Sequence, residues 1–197
     1  KKIVYIIIFL VSLFILKTIN DAGEFKTINP HFLGECESVF GLDGPEDITI
    51  LKNGLAFISS DHRWKTLANN PGQGHIYSYD LNEDSPKLIN LTSQLDIEFH
   101  PHGISVFEDS LNNIHLFAVN HVDENHSIEM FKYENNQLIH ENTITSPLLI
   151  SPNDMVVISN NQFYVTNDHG TASDFNKTVQ DYLQLSNSNV IFYDGQK

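Results

Sequence analysis

Three short motifs that begin with proline carry most of the residues that could do chemistry. They are residues 45–47 (Pro-Glu-Asp), 101–103 (Pro-His-Gly) and 152–154 (Pro-Asn-Asp), and they recur about every 50 residues. A single such tripeptide is usually an ordinary turn, but recurrence at one place in a repeat favours a site. Calcium takes oxygen ligands from carboxylates, amides and backbone carbonyls. In an extended backbone, neighbouring side chains point to opposite faces, so each acidic pair can serve two sites. The candidate ligands are Glu46, Asp47, Asn153 and Asp154.

Histidines supply the second kind of candidate group, and the chain has 10 of them. His102 and His121 could act together as a base, one taking a proton from water and the other holding or relaying it. Alternatively, His100, His102 and His121 could form a zinc site. Against zinc, Pro101 disturbs regular strand pairing and the nearby oxygen atoms favour a harder ion. We expect only structural roles for His31, His115, His126 and His140.

Each proline motif opens a hairpin of two short apolar strands, and a third strand signal follows. The predicted turns lie at residues 53–54, 112–113 and 160–161, and the third strands at 75–79, 128–133 and 190–193. This period is typical of β-propeller blades, whose inner strands begin around a central channel. A β-sandwich would explain the strands but not the recurring motifs. We therefore predict an all-β propeller, interrupted by one helix at 173–185 that Ser173 or Asp174 caps.

The N-terminus has the order of a secretory signal, because two lysines precede an apolar run at residues 3–16. No clear cleavage site follows, so residues 3–19 could stay attached as a membrane anchor. No polar face interrupts the run, which argues against a buried core helix. We predict a signal or anchor at 1–20, a partial propeller at 21–197, and a secreted or lumenal location. Sequons for glycosylation lie at Asn90, Asn125 and Asn176.

Composition narrows the classes of function. The net charge of −14 would repel nucleic acid and attract cations. The single cysteine, Cys36, excludes a disulfide within the chain and a thiolate zinc cluster. Three blade-like units cannot close a ring, residue 1 is not methionine, and Cys36 has no partner. We therefore expect this chain to be part of a longer protein.

Several of these segments resemble the paraoxonase family of calcium-dependent arylesterases and lactonases. The similar segments run in order from Cys36 to the C-terminus, over about the first half of a family member. They are residues 46–47, 53–60, 101–105, 119–121, 153–154 and 166–169. The resemblance implies a six-bladed propeller, of which about three blades are present, with two calcium ions in its channel and small ester or lactone substrates.

The resemblance also implies a role for individual residues. Glu46 and Asn153 would bind the catalytic calcium, and Asp47, Asp154 and the carbonyl of Ile104 the structural calcium. His102 would activate water with support from His121. Asp168 and His169 would line the pocket, Asp168 as an alternative base or nucleophile. Cys36 would pair with a cysteine near the family's C-terminus, and the N-terminal segment would be a retained hydrophobic anchor, so membrane or lipid association is a further expectation.

The family's remaining ligands of the catalytic calcium would lie beyond Lys197. We therefore expect little or no activity from these 197 residues alone. Three alternatives remain open: a calcium-stabilised propeller that binds without catalysis, an inactive truncated fragment, and a zinc hydrolase with histidine ligands.

Overall fold

The computed structural model describes residues 1–122 and 125–196, which divide into a unit at Lys1–Val39 and a unit at Phe40–Lys197. The first unit contains helix α1 (Lys2–Asp21), whose side chains are almost all exposed. This helix is long and apolar enough to cross a membrane by length and composition. Ala22 caps its C-terminus, and Gly23 follows with a φ of +81°, the left-handed conformation that commonly stops helices. Cys36 is an exposed free thiol.

The second unit consists of three antiparallel sheets that follow one another along the chain. Sheet 1 contains β1 (Pro45–Ile50), β2 (Leu55–Ser60), β3 (His75–Asp80) and β4 (Ile89–Asn90). Sheet 2 contains β5 (Pro101–Glu108), β6 (Ile114–Val122), β7 (Asn125–Glu134) and β8 (Gln137–Thr145). Sheet 3 contains β9 (Pro152–Ser159), β10 (Gln162–Asn167) and β11 (Asn189–Tyr193). Two helices lie between strands, α2 (Arg63–Leu67) and α3 (Asp174–Leu183).

Tight turns join four pairs of neighbouring strands in the described part of the chain, and Asn and Gly residues form them. Gly54 and Asn112 have positive φ angles in the first two hairpins. Asn135 and Asn136 both have positive φ between β7 and β8, as the commonest two-residue hairpin turn requires. Ser173 begins α3 by accepting a hydrogen bond from the Asn176 amide. The predicted helix is therefore confirmed.

Alternating apolar residues on β6 hold the three sheets together. Leu116 and Ala118 pack with Phe57 and Ile76 of sheet 1, in a core that also contains Phe99 and Phe131. Phe117 and Val119 point to the other face and pack with Met155, Phe163 and Val165 of sheet 3. Sheet 2 is thus buried on both faces, and β1, β5 and β9, the first strands of the three sheets, lie side by side. This face-to-face stacking confirms the all-β prediction and its consecutive propeller blades.

Candidate active site

The three proline motifs meet where β1, β5 and β9 begin. They surround a cavity of about 360 Å³ at one end of the adjacent strands. Its lining comprises Glu46, Asp47, Arg63, His102, Gly103, Asn153, Asp154 and Asp168. Four of these side chains are carboxylates and one is a guanidinium, so the cavity has a strong excess of negative charge. The structure therefore brings together most of the candidate ligands and the candidate base.

Asp47 links the first two sheets. Its Oδ2 accepts a hydrogen bond of 2.8 Å from the Ile104 amide on β5, and its Oδ1 accepts one of 2.7 Å from the Ile48 amide. Ser59 accepts a hydrogen bond from the Asp47 amide and donates one of 2.7 Å to the His102 carbonyl. These contacts fix the start of β5 against β1, so that His102 and the backbone of Ile104 lie next to the Asp47 carboxylate.

Gly103 allows β5 to approach β9 closely. A Cβ atom at this position would lie 2.5 Å from the Asn153 carbonyl oxygen and 2.8 Å from Oδ1 of Asp154. Both distances are shorter than a carbon atom tolerates. The absence of a side chain at residue 103 thus leaves the oxygen atoms of β9 facing the Asp47 side of the cavity.

His102 has a hydrogen-bond partner at each ring nitrogen. Its Nδ1 lies 3.0 Å from the Asn153 carbonyl, which can only accept, so Nδ1 carries a proton. In the neutral ring, Nε2 therefore presents its lone pair to the cavity. In this state Nε2 accepts a hydrogen bond from Nη1 of Arg63 over 3.2 Å. Oε1 of Glu46 lies 2.9 Å from Nε2 and can accept a hydrogen bond from it only when the ring is protonated. Arg63 also donates to Oε1 of Glu46 over 3.0 Å.

His121 stands against His102 without bonding to it. The ring centroids are 5.2 Å apart and the planes cross at 75°. Within residues 1–122 and 125–196, no hydrogen bond joins the two rings. Burial, together with the smaller effects of the nearby His126, His102 and Arg63, lowers the pKa of His121 to about 3. His121 is therefore neutral at any ordinary pH.

His126, for which the sequence indicated only a structural role, is the hydrogen-bond partner of His121. The two Nδ1 atoms lie 3.0 Å apart, and the two residues are paired across β6 and β7. The sequence did not indicate this contact. The missing information was the register of the β6–β7 hairpin, which alone places residues 121 and 126 opposite one another.

The three histidines of the zinc hypothesis do not converge. Nδ1 of His100 is bonded over 3.0 Å to the buried carboxylate of Asp61. The ring nitrogens of His102 face Asn153 and Glu46 instead. In the described part of the chain, no three His, Cys, Asp or Glu side chains form a ready metal-binding group. A cation in the cavity would therefore also need amide and backbone carbonyl oxygens, which suits calcium and not zinc.

The side chains of Asp168 and His169 point to different places, although the two residues are neighbours in the chain. Asp168 lines the cavity and accepts a hydrogen bond from the side-chain amide of Asn153. The ring of His169 turns towards α3, where Nε2 lies 2.8 Å from the Asp181 carboxylate. Its Nδ1 is buried and has no hydrogen-bond partner among the described residues. Only Asp168 is thus placed to act in the cavity.

The remaining predicted modification sites lie outside the cavity. Asn125 and Asn176 are exposed on β7 and α3, and Asn90 is half-buried on β4, where its side chain accepts from the Thr92 amide. Arg63 was not among the candidate residues. It lies at the start of the short helix α2, and no spacing rule connects it to Glu46.

The arylesterase family model matches residues 25–197. Serum paraoxonase/arylesterase 1 of Mus musculus is 40% identical over 184 residues, which are 89% of this chain and 52% of that protein. Serum paraoxonase/lactonase 3 of Homo sapiens is 38% identical over 185 residues, which are 89% of this chain and 51% of that protein.

A gluconolactonase from Xanthomonas campestris is a more distant structural neighbour, with 15% identity and a TM-score of 0.48 over 71% of this chain and 46% of that one. The chain spans about half the length of the curated relatives that it matches. The resemblance inferred from the motifs is confirmed: the chain belongs to the arylesterase family, which includes the paraoxonases.

Proposed function

We propose that the whole protein hydrolyses aryl esters and lactones in a calcium-dependent reaction, with His102 as the base. One observation carries the proposal. Nδ1 of His102 is held by the Asn153 carbonyl, so the lone pair on Nε2 faces a cavity lined by oxygen atoms. A base in this position can take a proton from water beside a substrate carbonyl.

The proton movements follow from this arrangement. His102 takes a proton from water at Nε2, and the hydroxide that remains attacks the carbonyl carbon of the ester. The protonated Nε2 is then close enough to donate to Glu46, 2.9 Å away, which stabilises the charged ring. When the carbon–oxygen bond breaks, the proton passes from Nε2 to the leaving oxygen. The products are a carboxylic acid and a phenol when the substrate is an aryl ester, or a hydroxy acid when the substrate is a lactone.

The chemistry of the cavity fits the calcium that the family resemblance implies. Glu46 and Asn153 would hold one ion, and Asp47, Asp154 and the Ile104 carbonyl a second, as hard oxygen ligands. The cavity has more carboxylates than its single guanidinium can neutralise, so a bound cation would offset the remaining negative charge. A bound calcium ion would polarise the substrate carbonyl and stabilise the oxyanion of the tetrahedral intermediate.

Two other residues would support the reaction. His121 stays neutral and presents its ring to His102, which limits the positions that the His102 ring can adopt. Asp168 is a second candidate base, because its carboxylate lies on the cavity and is bonded to Asn153. An Asp168→Asn variant that loses as much activity as the His102→Gln variant would show that the reaction needs both the Asp168 carboxylate and the His102 ring.

Other segments of the chain indicate where the protein acts. We propose that the protein is secreted or lumenal and that α1 serves as a signal or a membrane anchor, since this helix is apolar and exposed. Glycosylation would then be expected at the exposed sequons, and Cys36 would be available for a disulfide with a cysteine outside this chain. The substrates are small esters and lactones.

The test is hydrolysis of a simple aryl ester and a simple lactone by the whole protein, secreted from a eukaryotic host. The rates are measured with calcium, after removal of calcium by a chelator, and after restoration of calcium or zinc. We expect activity that disappears with calcium and returns with calcium only. Activity that survives calcium removal, or no hydrolysis by a folded protein that binds calcium, would refute the proposal.

A further inference from the structure

His121 and His126 face each other across the β6–β7 hairpin. The antiparallel ladder pairs the two residues directly, so their side chains lie on the same face of sheet 2. Their ring centroids are 4.7 Å apart, the planes cross at 80°, and the Nδ1 atoms are separated by 3.0 Å. This separation is a hydrogen-bond distance between two nitrogen atoms.

The contact restricts where protons can be. Two Nδ1 atoms at this distance share one proton, because two N–H groups would repel and two lone pairs would form no bond. One ring therefore carries its proton on Nδ1 and the other accepts there, with its own proton on Nε2. The hydrogen bond thus couples the tautomers of the two histidines and fixes the orientation of both rings.

The surroundings keep both rings neutral. Burial lowers the pKa of the half-buried His126, and Lys177 on α3 lowers it further. The pair also borders a second cavity of about 600 Å³, through which other charged groups face it. The titratable or charged residues around this cavity are Asp61, Arg63, Glu98, His100, His102, Asp174 and Lys177. With both pKa values lowered, the pair retains its single shared proton at neutral pH.

From this geometry we propose that His126 is a positioning residue, which holds His121 in the tautomer complementary to its own and in one orientation beside His102. The inference rests on the proposed function, because it adds a third histidine to the same site. His126 itself does not line the cavity of about 360 Å³ that contains Glu46 and His102. It would therefore act on the reaction only through His121.

The first test observes the tautomer directly and needs no activity. Nitrogen-15 NMR of the full chain labelled on histidine distinguishes protonated from bare ring nitrogens. We expect His121 and His126 to show opposite neutral tautomers in the native chain, because one proton is shared between their Nδ1 atoms. His126→Phe keeps an aromatic ring but removes the bond, so His121 should become a mixture of tautomers. His126→Asn places an amide near the former Nδ1 and should preserve a single tautomer.

Both variants leave the Asn125 sequon intact, because Ser127 is unchanged. Circular dichroism verifies folding, and His126→Ala replaces the Phe variant if that variant does not fold. An unchanged His121 tautomer in the folded Phe or Ala variant would overturn the inference.

The second test measures kcat and KM for lactone hydrolysis by the whole protein. A loss of orientation at His121 should lower kcat by about 10-fold with little change in KM, and His126→Asn should recover most of the loss. A purely structural role would instead lower stability and leave kcat unchanged, and this result would overturn the inference. If the native protein hydrolyses neither substrate, the proposed function fails, and the NMR result still decides whether His126 sets the tautomer of His121.

Discussion

Replacement of Gly103 by alanine tests whether the close approach of β5 and β9 shapes the site. The new Cβ would lie 2.5 Å from the Asn153 carbonyl oxygen, 2.6 Å from the Cα of Asp154 and 2.8 Å from its Oδ1. Two of these atoms belong to the backbone of β9 and cannot rotate away as the end of a side chain can. The two strands must therefore separate by several tenths of an ångström, through the buried junction of sheets 2 and 3.

Overpacking of this kind costs about 1–3 kcal/mol of unfolding free energy. With a urea dependence of about 2 kcal/mol per molar, the midpoint of unfolding should fall by about 0.5–1.5 M. Calcium should also stabilise the variant less than the native protein, because the Asp47 and Asp154 sides of the cavity move apart. The assay is urea unfolding followed by circular dichroism, with and without calcium.

Gly72→Ala is the matched control. It is the same substitution at a glycine whose added Cβ would meet no atom within 4 Å. This control should unfold at or slightly above the native midpoint. If Gly103→Ala and Gly72→Ala unfold at the same urea concentration and gain equally from calcium, the reasoning about the β5–β9 contact is wrong.

Three further predictions concern charged and titratable groups. The folded chain resists protonation of His121, whose pKa is about 3, while the unfolded chain binds that proton below the ordinary pKa of 6.5. Lowering the pH from 7 to 5 should therefore reduce the unfolding free energy of the native protein by about 2 kcal/mol more than that of the His121→Gln variant, as measured by urea unfolding. Equal losses in the two proteins would contradict this prediction. Arg63→Ala removes the guanidinium that pairs with Glu46, so calcium titration should show up to about 5-fold tighter calcium binding. Weaker binding would contradict the assignment of Glu46 as a calcium ligand. Glu129 is buried and accepts hydrogen bonds from several side chains, including that of His140, so Glu129→Gln should lower the unfolding free energy by about 1–3 kcal/mol; an unchanged urea midpoint would refute this.

The repeated sequence motifs made much of the fold predictable from the sequence. The first three strands of each sheet follow from the proline motifs, the Asn and Gly turns and the apolar runs after them. The outer strands β4 and β8 were missed, because β4 spans two residues and β8 is mostly polar and exposed. An outer strand needs no alternating pattern when only one edge of it is paired and little of it is buried.

The site residues that lie within the repeated motifs could be predicted from the sequence. Residues at the start of β1, β5 and β9 converge as their repeated position indicated. The partners that come from other elements were not foreseen. Arg63 reaches Glu46 from a short helix, and His126 meets His121 through hairpin register, which depends on the turn length and not on residue type.

The most direct test of the account is the turnover of His102→Gln beside His115→Gln, both in the whole protein with saturating calcium. His115 lies on β6 near Asp109 and Glu141 and does not line the cavity, so it controls for the loss of a histidine. If His102 is the base, His102→Gln should lower kcat by about 100-fold or more, and His115→Gln should have native kcat. Native turnover by a folded His102→Gln protein would contradict the central claim.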